Sequence, residues 1–173
     1  MNITVVVGNP NPRSRTRQIA EAVADAVAAI VGETTRTVID LIDVAEMLFD
    51  STNQTVAALN ETVAQSDFVI IATPTYKAAY TGLLKAFLDR YDTNGLANVV
   101  AIPVMTGGSP AHALAPDTTL RPLLVELGAS VPTRSLYFLT AQMQQLPEIV
   151  QGWADVNRAA LLGAAQARRV ARG

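Results

Sequence analysis

Cysteine is absent from this chain of 173 residues, and aromatic side chains make up only 5% of it. The absence of cysteine excludes disulfide bonds, thiolate nucleophiles and thiolate-bound metals. The single histidine, His112, has no aspartate and serine in the pattern of a hydrolytic triad, and no spacing of histidine and acidic residues indicates a metal site. Catalysis by a side-chain nucleophile or a protein-bound metal is therefore disfavoured.

A strong charge of either sign is also missing. The formal net charge is -2, so nothing indicates binding to nucleic acid or to an anionic membrane. No apolar run approaches the roughly 20 residues of a membrane span, and the first residues enter a strand pattern without a signal-peptide region. Because 50% of the residues are hydrophobic, the chain can build a full core, and its length suits a single domain over residues 1–173. Without targeting or membrane signals, we expect a cytoplasmic protein.

Apolar, β-branched runs alternate with amphipathic segments along the chain. The runs predict strands at 3–7, 37–41, 68–72, 99–105 and 130–139, and the segments predict helices at 14–30, 80–91, 110–127 and 147–170. This alternation predicts an α/β fold with a parallel sheet and helices on both faces. Five strands in this length indicate a flavodoxin-like three-layer sandwich of order 2-1-3-4-5, although periodicity alone leaves other doubly wound orders open. Its ligand is expected between the first and third strands.

Two stretches fit the alternation less cleanly. Segment 43–62 is ambiguous, with a helical pattern through Val56, Leu59 and Val63. Pro103 lies inside the fourth predicted strand, where it cannot donate a hydrogen bond to the ladder. We therefore expect either a bulge at Pro103 or an early end to that strand.

The loop after the first strand, residues 8–16, has the composition of an anion site. Ser14 and Thr16 offer hydroxyl groups at the start of a helix, where free N–H groups and the helix dipole attract negative charge. Arg13, Arg15 and Arg17 add cations at the same end of the helix, which suits a phosphate. A capped helix with solvated arginines explains the loop equally well. The glycine patterns of a dinucleotide Rossmann site and a P-loop are absent.

The loop after the third strand, residues 73–77, suits a planar ligand. Pro74 fixes the turn, backbone groups from Thr75 to Lys77 can reach the polar edge of a heterocycle, and Tyr76 can pack near its ring. The alternative is that Tyr76 only fills a crevice and Lys77 is solvated. Because this loop and the first one follow parallel strands, both are expected at the same edge of the sheet.

The loop after the fourth strand, residues 105–112, reaches that edge as well. Gly107 and Gly108 allow the backbone to approach a ligand closely. Ser109 can cap the next helix, and His112 falls in the first turn, where a histidine is more often structural than catalytic. Three loops of ligand-binding type therefore converge at one edge of the sheet, which makes a non-catalytic binding module the least favoured alternative.

The stretch from Pro74 to Arg90 resembles the second flavin-binding loop of the NAD(P)H-dependent FMN reductases, and in particular the subgroup that supplies reduced flavin to sulfonate monooxygenases. Residues 8–10 and 14–16 stand where this family has Gly-Ser-Pro and a Ser-Arg-Ser-type cluster that holds the FMN phosphate. Asn9 replaces the usual serine. Residues 106–108 correspond to the family segment that borders the isoalloxazine ring.

The resemblance implies that FMN and NADPH (or NADH) are the cofactors, and that hydride passes to flavin N5. It also implies a partner monooxygenase and a homodimer or homotetramer, to which the apolar face of the helix at 83–88 contributes unless it packs in the core. No catalytic residue is predicted. The predicted cofactor-binding residues are Asn9, Arg13, Ser14, Arg15, Thr16, Pro74, Thr75, Tyr76, Lys77, Thr106, Gly107, Gly108 and His112.

One segment departs from the subgroup. Members that release FMN carry an extra tyrosine or histidine in the helix after the Gly-Gly loop, which produces a π-helical bulge, and Thr118 takes that place here. Pro122 removes a hydrogen bond from the same helix and is expected to bend it. Release of FMN is therefore left open, and the alternatives are an FMN-bound quinone or azo-dye reductase and a flavodoxin-like electron carrier, which the small net charge disfavours.

Overall fold

The computed structural model describes residues 1–172, so position 173 of the predicted domain lies outside the described residues. It contains one parallel sheet in the order β2-β1-β3-β4-β5, which confirms the predicted sheet order. The strands are β1 (Asn2–Val7), β2 (Thr35–Asp40), β3 (Phe68–Pro74), β4 (Val100–Gly107) and β5 (Leu136–Leu139).

Helices cover both faces of the sheet. They are α1 (Arg15–Val31), α2 (Gln54–Ala64), α3 (Gly82–Leu88), α4 (Arg121–Glu126) and α5 (Leu146–Arg172), with 3₁₀ turns at Leu41–Met47, Pro110–His112 and Thr140–Gln145 and a π-helix at Pro116–Leu120. The ambiguous segment 43–62 thus contains the end of a 3₁₀ turn and most of α2. Within residues 1–172, no helix has both the length and the apolar character needed to cross a membrane.

Alternate residues of each central strand enter two separate cores. Val5 packs in the core under α1 and α5, while its neighbour Val6 packs in the core under α2, α3 and α4. Both side chains are fully buried, and burial of one such side chain is worth about 1.5–3 kcal/mol. This explains why the strands are apolar on both faces, as is typical of a parallel sheet covered by helices.

The apolar face of α3 belongs to the core. Leu84, Phe87 and Leu88 are all fully buried against the sheet. The helix begins later than the predicted residue 80 because Thr81 caps it, accepting a hydrogen bond from the N–H of Leu84 at 3.2 Å. Packing against the sheet of the same chain therefore explains the apolar composition of α3, without an interface between subunits.

The expectation of a bulge or an early strand end at Pro103 is wrong. β4 runs through Pro103 and stays in register with β3. In a parallel strand, alternate residues direct their N–H groups to opposite neighbours, and the N–H of Ala101 donates to Ser130 O on the β5 side. The nitrogen of Pro103, two residues on, lies on that side too, where pairing with β5 begins only at Val104 with Leu136. No ladder hydrogen bond is therefore lost.

The single helix predicted at 110–127 is also wrong, because the segment is broken into a 3₁₀ turn, a π-helix and α4. At the end of the π-helix, the N–H of Arg121 reaches back five residues to Pro116 O. The hydroxyl groups of Thr118 and Thr119 donate to backbone carbonyls one turn earlier, at 3.0 and 2.7 Å. Pro122 offers no N–H to a regular helical bond. The π-helix thus forms without the aromatic residue of the subgroup.

The Arg121 side chain ties the π-helix to the chain before β5. Its guanidinium donates to Val131 O and Thr133 O, both at 2.7 Å, and to Asp117 Oδ1 at 2.8 Å. The Ser135 hydroxyl donates to the same carboxylate oxygen at 2.7 Å. Because Arg121 fixes this stretch as a loop, β5 is shorter than the predicted 130–139, and only an isolated bridge remains at residue 130.

We expect Gly8→Ala to destabilise the fold by about 1–3 kcal/mol, because it overpacks the core. A Cβ at Gly8 would lie 2.6 Å from Leu84 Cβ. Gly163→Ala is the matched control. Gly163 lies at an exposed position of α5 with open space around a Cβ, so this substitution should be neutral or stabilising by up to about 1 kcal/mol. Urea unfolding measures both. Equal stability of the two variants would show that β1 and α3 can separate at no cost.

We expect Asp117→Asn to lower stability at neutral pH but not in acid. Burial raises the pKa of Asp117, but hydrogen bonds from Ser135 and Arg121 outweigh it and hold the pKa below its usual value. Such a group stabilises the fold above its unfolded pKa of about 3.9, and this is lost as the pH falls through the lower folded pKa. The effect should stay below about 1 kcal/mol because solvent screens the half-exposed carboxylate. Thermal unfolding at pH 3 to 7 measures it, and parallel pH profiles would contradict it.

Candidate functional site

Three loops meet at the carboxyl ends of β1, β3 and β4, and threonines join them. The Thr81 hydroxyl donates to Gly8 O at 2.6 Å, and the N–H of Thr81 donates to Thr73 Oγ1 at 3.1 Å. The N–H of Thr75 donates to Thr106 O at 2.7 Å. These bonds hold the first loop against the second, and the second against the third, so their relative positions are fixed before any ligand binds.

The three loops enclose an open cleft of about 360 Å³, within the size range of small-molecule sites. Most of the predicted binding residues line it, namely Asn9, Ser14, Arg15, Thr16, Pro74, Thr75, Tyr76, Thr106, Gly107 and Gly108. Asn11 and Thr140 line it as well. The switch point between β1 and β3, where the fold class predicts a ligand, is therefore a real concavity.

One end of the cleft is the N-terminus of α1. Ser14 caps this helix by accepting the N–H of Arg17 at 3.2 Å, which leaves its own hydroxyl proton free for a ligand. Arg15 lines the cleft and is exposed, with a long contact of 3.4 Å from Nη1 to Thr140 O. Free helix N–H groups, a hydroxyl donor and a guanidinium at one point form a donor set for a phosphate.

Arg17 does not face this site. It pairs with Glu21 at 2.9 Å and reaches the buried carboxylate of Asp40 at 3.7 Å. Burial raises the pKa of Asp40, the neighbouring Asp43 raises it further, and Arg17 opposes both. The cation of Arg17 thus compensates charge at the end of β2, and of the arginines in this loop only Arg15 lines the cleft.

The floor of the cleft contains a chain of buried polar groups. Asn9 Nδ2 donates to Thr16 Oγ1 at 2.9 Å, and Thr16 Oγ1 lies 3.0 Å from Thr106 Oγ1. Asn9 Oδ1 accepts the backbone N–H of Asn11 at 2.9 Å. Asn9, Thr16 and Thr106 are each at least nine-tenths buried. Side chains of the first and third loops are therefore joined directly beneath the ligand space.

A tight turn carries Lys77 away from the cleft. Tyr76 and Ala79 exchange two backbone hydrogen bonds, and the residues between them, Lys77 and Ala78, have φ angles of 53° and 64°. Two consecutive residues in the left-handed region are typical of a type I′ turn. This backbone conformation is unfavourable for residues other than glycine, and such strain often occurs at ligand sites. It leaves Tyr76 half-exposed on the wall of the cleft.

The opposite end of the cleft offers space and an unsatisfied hydroxyl. Thr75 Oγ1 is buried and has no hydrogen-bond partner within the described chain. Gly107 faces the Tyr137 hydroxyl so closely that any Cβ there would collide with it, and a Cβ at Gly108 would meet nothing. A planar group bound here finds an open slot with polar backbone on its walls. The donor set and the slot together fit FMN.

Three predicted residues lie elsewhere. Arg13, at φ 51° in the first loop, does not line the cleft. Lys77 is exposed at the tip of its turn, and His112 is exposed in the 3₁₀ turn after Ser109. Sequence reasoning missed Asn11 and Thr140. Thr140 directly follows β5, so the rule that strand ends carry ligand residues would have found it. No similar signal marks Asn11.

Comparison with known proteins agrees with this geometry. Residues 1–144 match the sequence profile of the family described as NADPH-dependent FMN reductase. A solved structure of an NADH:FMN oxidoreductase in its apo form, EMOB, superposes with a TM-score of 0.83 at 33% identity, covering 92% of this chain and 89% of that one.

Two curated relatives come from Pseudomonas putida. FMN reductase (NADPH) of strain KT2440 is 39% identical over 95 residues, which cover 55% of this chain and 47% of that protein. The NADH-dependent FMN reductase SfnF is 28% identical over 142 residues, which cover 79% of this chain and 76% of that protein. The match thus spans about half the length of the first relative and three quarters of the second. On the family match and the superposition, the chain belongs to the NADPH-dependent FMN reductase family.

Proposed function

We propose that this protein catalyses the NAD(P)H-dependent reduction of FMN. The observation that carries the proposal is the cleft between the N-terminus of α1 and the slot beside Thr75 and Gly108, which has a phosphate-type donor set at one end and room for a planar ring at the other. The family of the chain supports the same function.

The phosphate end acts through fixed donors. Ser14 and Thr16 lie on the first turn of α1, Arg15 supplies the cation, and the helix N-terminus adds its dipole. Because the residues that hold this end are already hydrogen-bonded to the sheet edge, they lose little conformational entropy when the ligand binds. The phosphate anchors the flavin, and thus sets where its ring lies.

The ring end acts by orientation. The N–H of Thr75 and both backbone groups of Tyr76 are already hydrogen-bonded within the protein. The unpartnered Thr75 hydroxyl is therefore the group that faces the polar edge of the ring, while the two glycines admit the ring closely. When bound, flavin accepts hydride at N5 from a nicotinamide and passes electrons on. No side chain is required to transfer a proton, so we assign no catalytic acid or base.

Further features are part of the same proposal. The hydride donor is NADPH or NADH, since relatives carry both names. Reduced FMN is passed to a partner monooxygenase, as the resemblance to the sulfonate-linked subgroup implies. We also propose one cytoplasmic domain over residues 1–173 that forms a homodimer or homotetramer, without nucleic-acid or membrane partners. The buried apolar face of α3 does not contribute to that assembly.

A second candidate is an FMN-bound reductase of quinones or azo dyes. One observation favours it: Thr118 in the π-helix turns its hydroxyl back to Leu114 O and presents no aromatic ring. If an aromatic residue at this place promotes FMN release, as the resemblance implies, its absence favours a flavin that stays bound between turnovers. The π-helix itself is present in either case.

We expect Arg15→Ala to weaken FMN binding about tenfold or more, because it removes the guanidinium that lines the phosphate end of the cleft. Arg13→Ala is the matched control, since Arg13 carries the same charge in the same loop but does not line the cleft. Quenching of flavin fluorescence at fixed ionic strength gives both affinities. Equal effects of the two substitutions would refute the phosphate assignment.

We expect the purified protein, with FMN added under anaerobic conditions, to bleach the flavin absorption bands when NADPH or NADH is supplied. Bleaching of flavin that is lost on desalting indicates a flavin-supplying reductase, and bleaching of flavin that survives desalting indicates the FMN-bound reductase. Bound FMN that neither nucleotide reduces would leave only an electron carrier. Absence of FMN binding would remove the flavin proposal.

A further inference from the structure

Asn9 has an amide whose orientation can be assigned from its partners. The backbone N–H of Asn11 can only donate, and it points to Asn9 Oδ1 at 2.9 Å. The amide nitrogen of Asn9 must therefore face Thr16 Oγ1, 2.9 Å away, and donate to it. At 8% exposure, Asn9 is held from both sides and has no freedom to reverse.

This orientation decides what the hydroxyl groups offer the cleft. Thr16 and Thr106 share one hydrogen bond of 3.0 Å, which uses one of their two hydroxyl protons. The donation from Asn9 occupies a lone pair on Thr16 and uses no hydroxyl proton. One hydroxyl proton is therefore left over, and both residues line the cleft. The second amide proton of Asn9, another residue of the cleft wall, has no partner within residues 1–172.

We propose that Asn9 is a specificity-determining residue. Its amide leaves the buried floor of the cleft with hydrogen-bond donors that face the ligand, and these donors favour phosphorylated over unphosphorylated flavin. The inference rests on the proposed FMN site and deepens it. The floor gains this preference without a charged side chain, because the backbone of Asn11 fixes Asn9 as the donor to Thr16. The bond between Thr16 and Thr106 then uses one hydroxyl proton, whichever of the two residues donates it. A phosphate, which only accepts hydrogen bonds at neutral pH, is complementary to such a floor.

Two substitutions test whether the amide of Asn9 acts as a hydrogen-bond donor in this way. Asn9→Asp keeps the size of the side chain but replaces the amide donor with an acceptor, so that Thr16 must donate back to it. Asn9→Ala is uncharged and removes the amide altogether, including the amide proton that has no partner within residues 1–172. Affinities for FMN and for riboflavin, which lacks the phosphate, are measured by fluorescence quenching for the wild type and both variants. Melting temperatures check that each variant is folded.

We expect both variants to lose at least about tenfold in FMN affinity, with Asn9→Asp the weaker binder, while riboflavin affinity stays within about threefold of wild type. The measurement for Asn9→Asp is repeated at high salt, which screens repulsion between charges but does not restore a donor. A persistent loss supports the proposal, and full recovery by salt overturns it.

Other outcomes also overturn the inference. An equal loss for both flavins would mean that Asn9 only holds the loop, and unchanged FMN affinity would mean that the donor chain is not used. In both cases the wild type still binds FMN, so the proposed function survives. If the wild type binds neither flavin, the proposed function and this inference fail together. If Asn9→Asp does not fold, Asn9→Ala alone decides.

Discussion

The site depends on the bonds that Thr106 makes at the end of β4. Its carbonyl accepts the N–H of Thr75 and its hydroxyl bonds to that of Thr16, so a single buried residue joins the first loop, the second loop and its own. Thr106 is 2% exposed and its bond to Thr16 is buried, and a hydrogen bond in such a setting is electrostatically stronger than one at the surface. Displacement of β4 by one residue would break both bonds and separate the phosphate end from the ring end.

The sheet makes this junction possible. Because both of its faces are covered, its strands have no freedom to slide, and the stagger of their carboxyl ends is fixed. β1 ends opposite Ala72, two residues before the end of β3, and Pro74 at the end of β3 pairs with Thr106 of β4. The loops can therefore carry strain, such as the left-handed Lys77 and Ala78, that a less constrained edge would release. Stability is concentrated in the two cores, while chemistry is confined to short segments that contribute little to them.

Much of this was predictable from sequence, for identifiable reasons. Apolar runs predicted the strands and their alternation with helices, and strand ends predicted most of the cleft, because both follow from local composition. The strand order rested in addition on the flavodoxin-like pattern of five strands in this length. Pro103 was not predictable, since its tolerance depends on which neighbour its nitrogen faces and where β5 begins to pair. The same holds for Lys77, whose direction is set by a backbone turn, and for the π-helix, which reflects contacts of Arg121 far along the chain. Backbone conformation and contacts between neighbouring segments, not residue type alone, decide these cases.

Gly107 and Tyr137 form a pair that can change only together. The tyrosine hydroxyl, which donates to Ser109 O at 2.8 Å, occupies the volume that a side chain at 107 would need. A larger residue at 107 is therefore compatible with the fold only if position 137 becomes smaller, and a smaller residue at 137 would leave a hollow beneath the third loop. Any redesign of this cleft for a bulkier ring has to treat the two positions, one on β4 and one on β5, as a single variable.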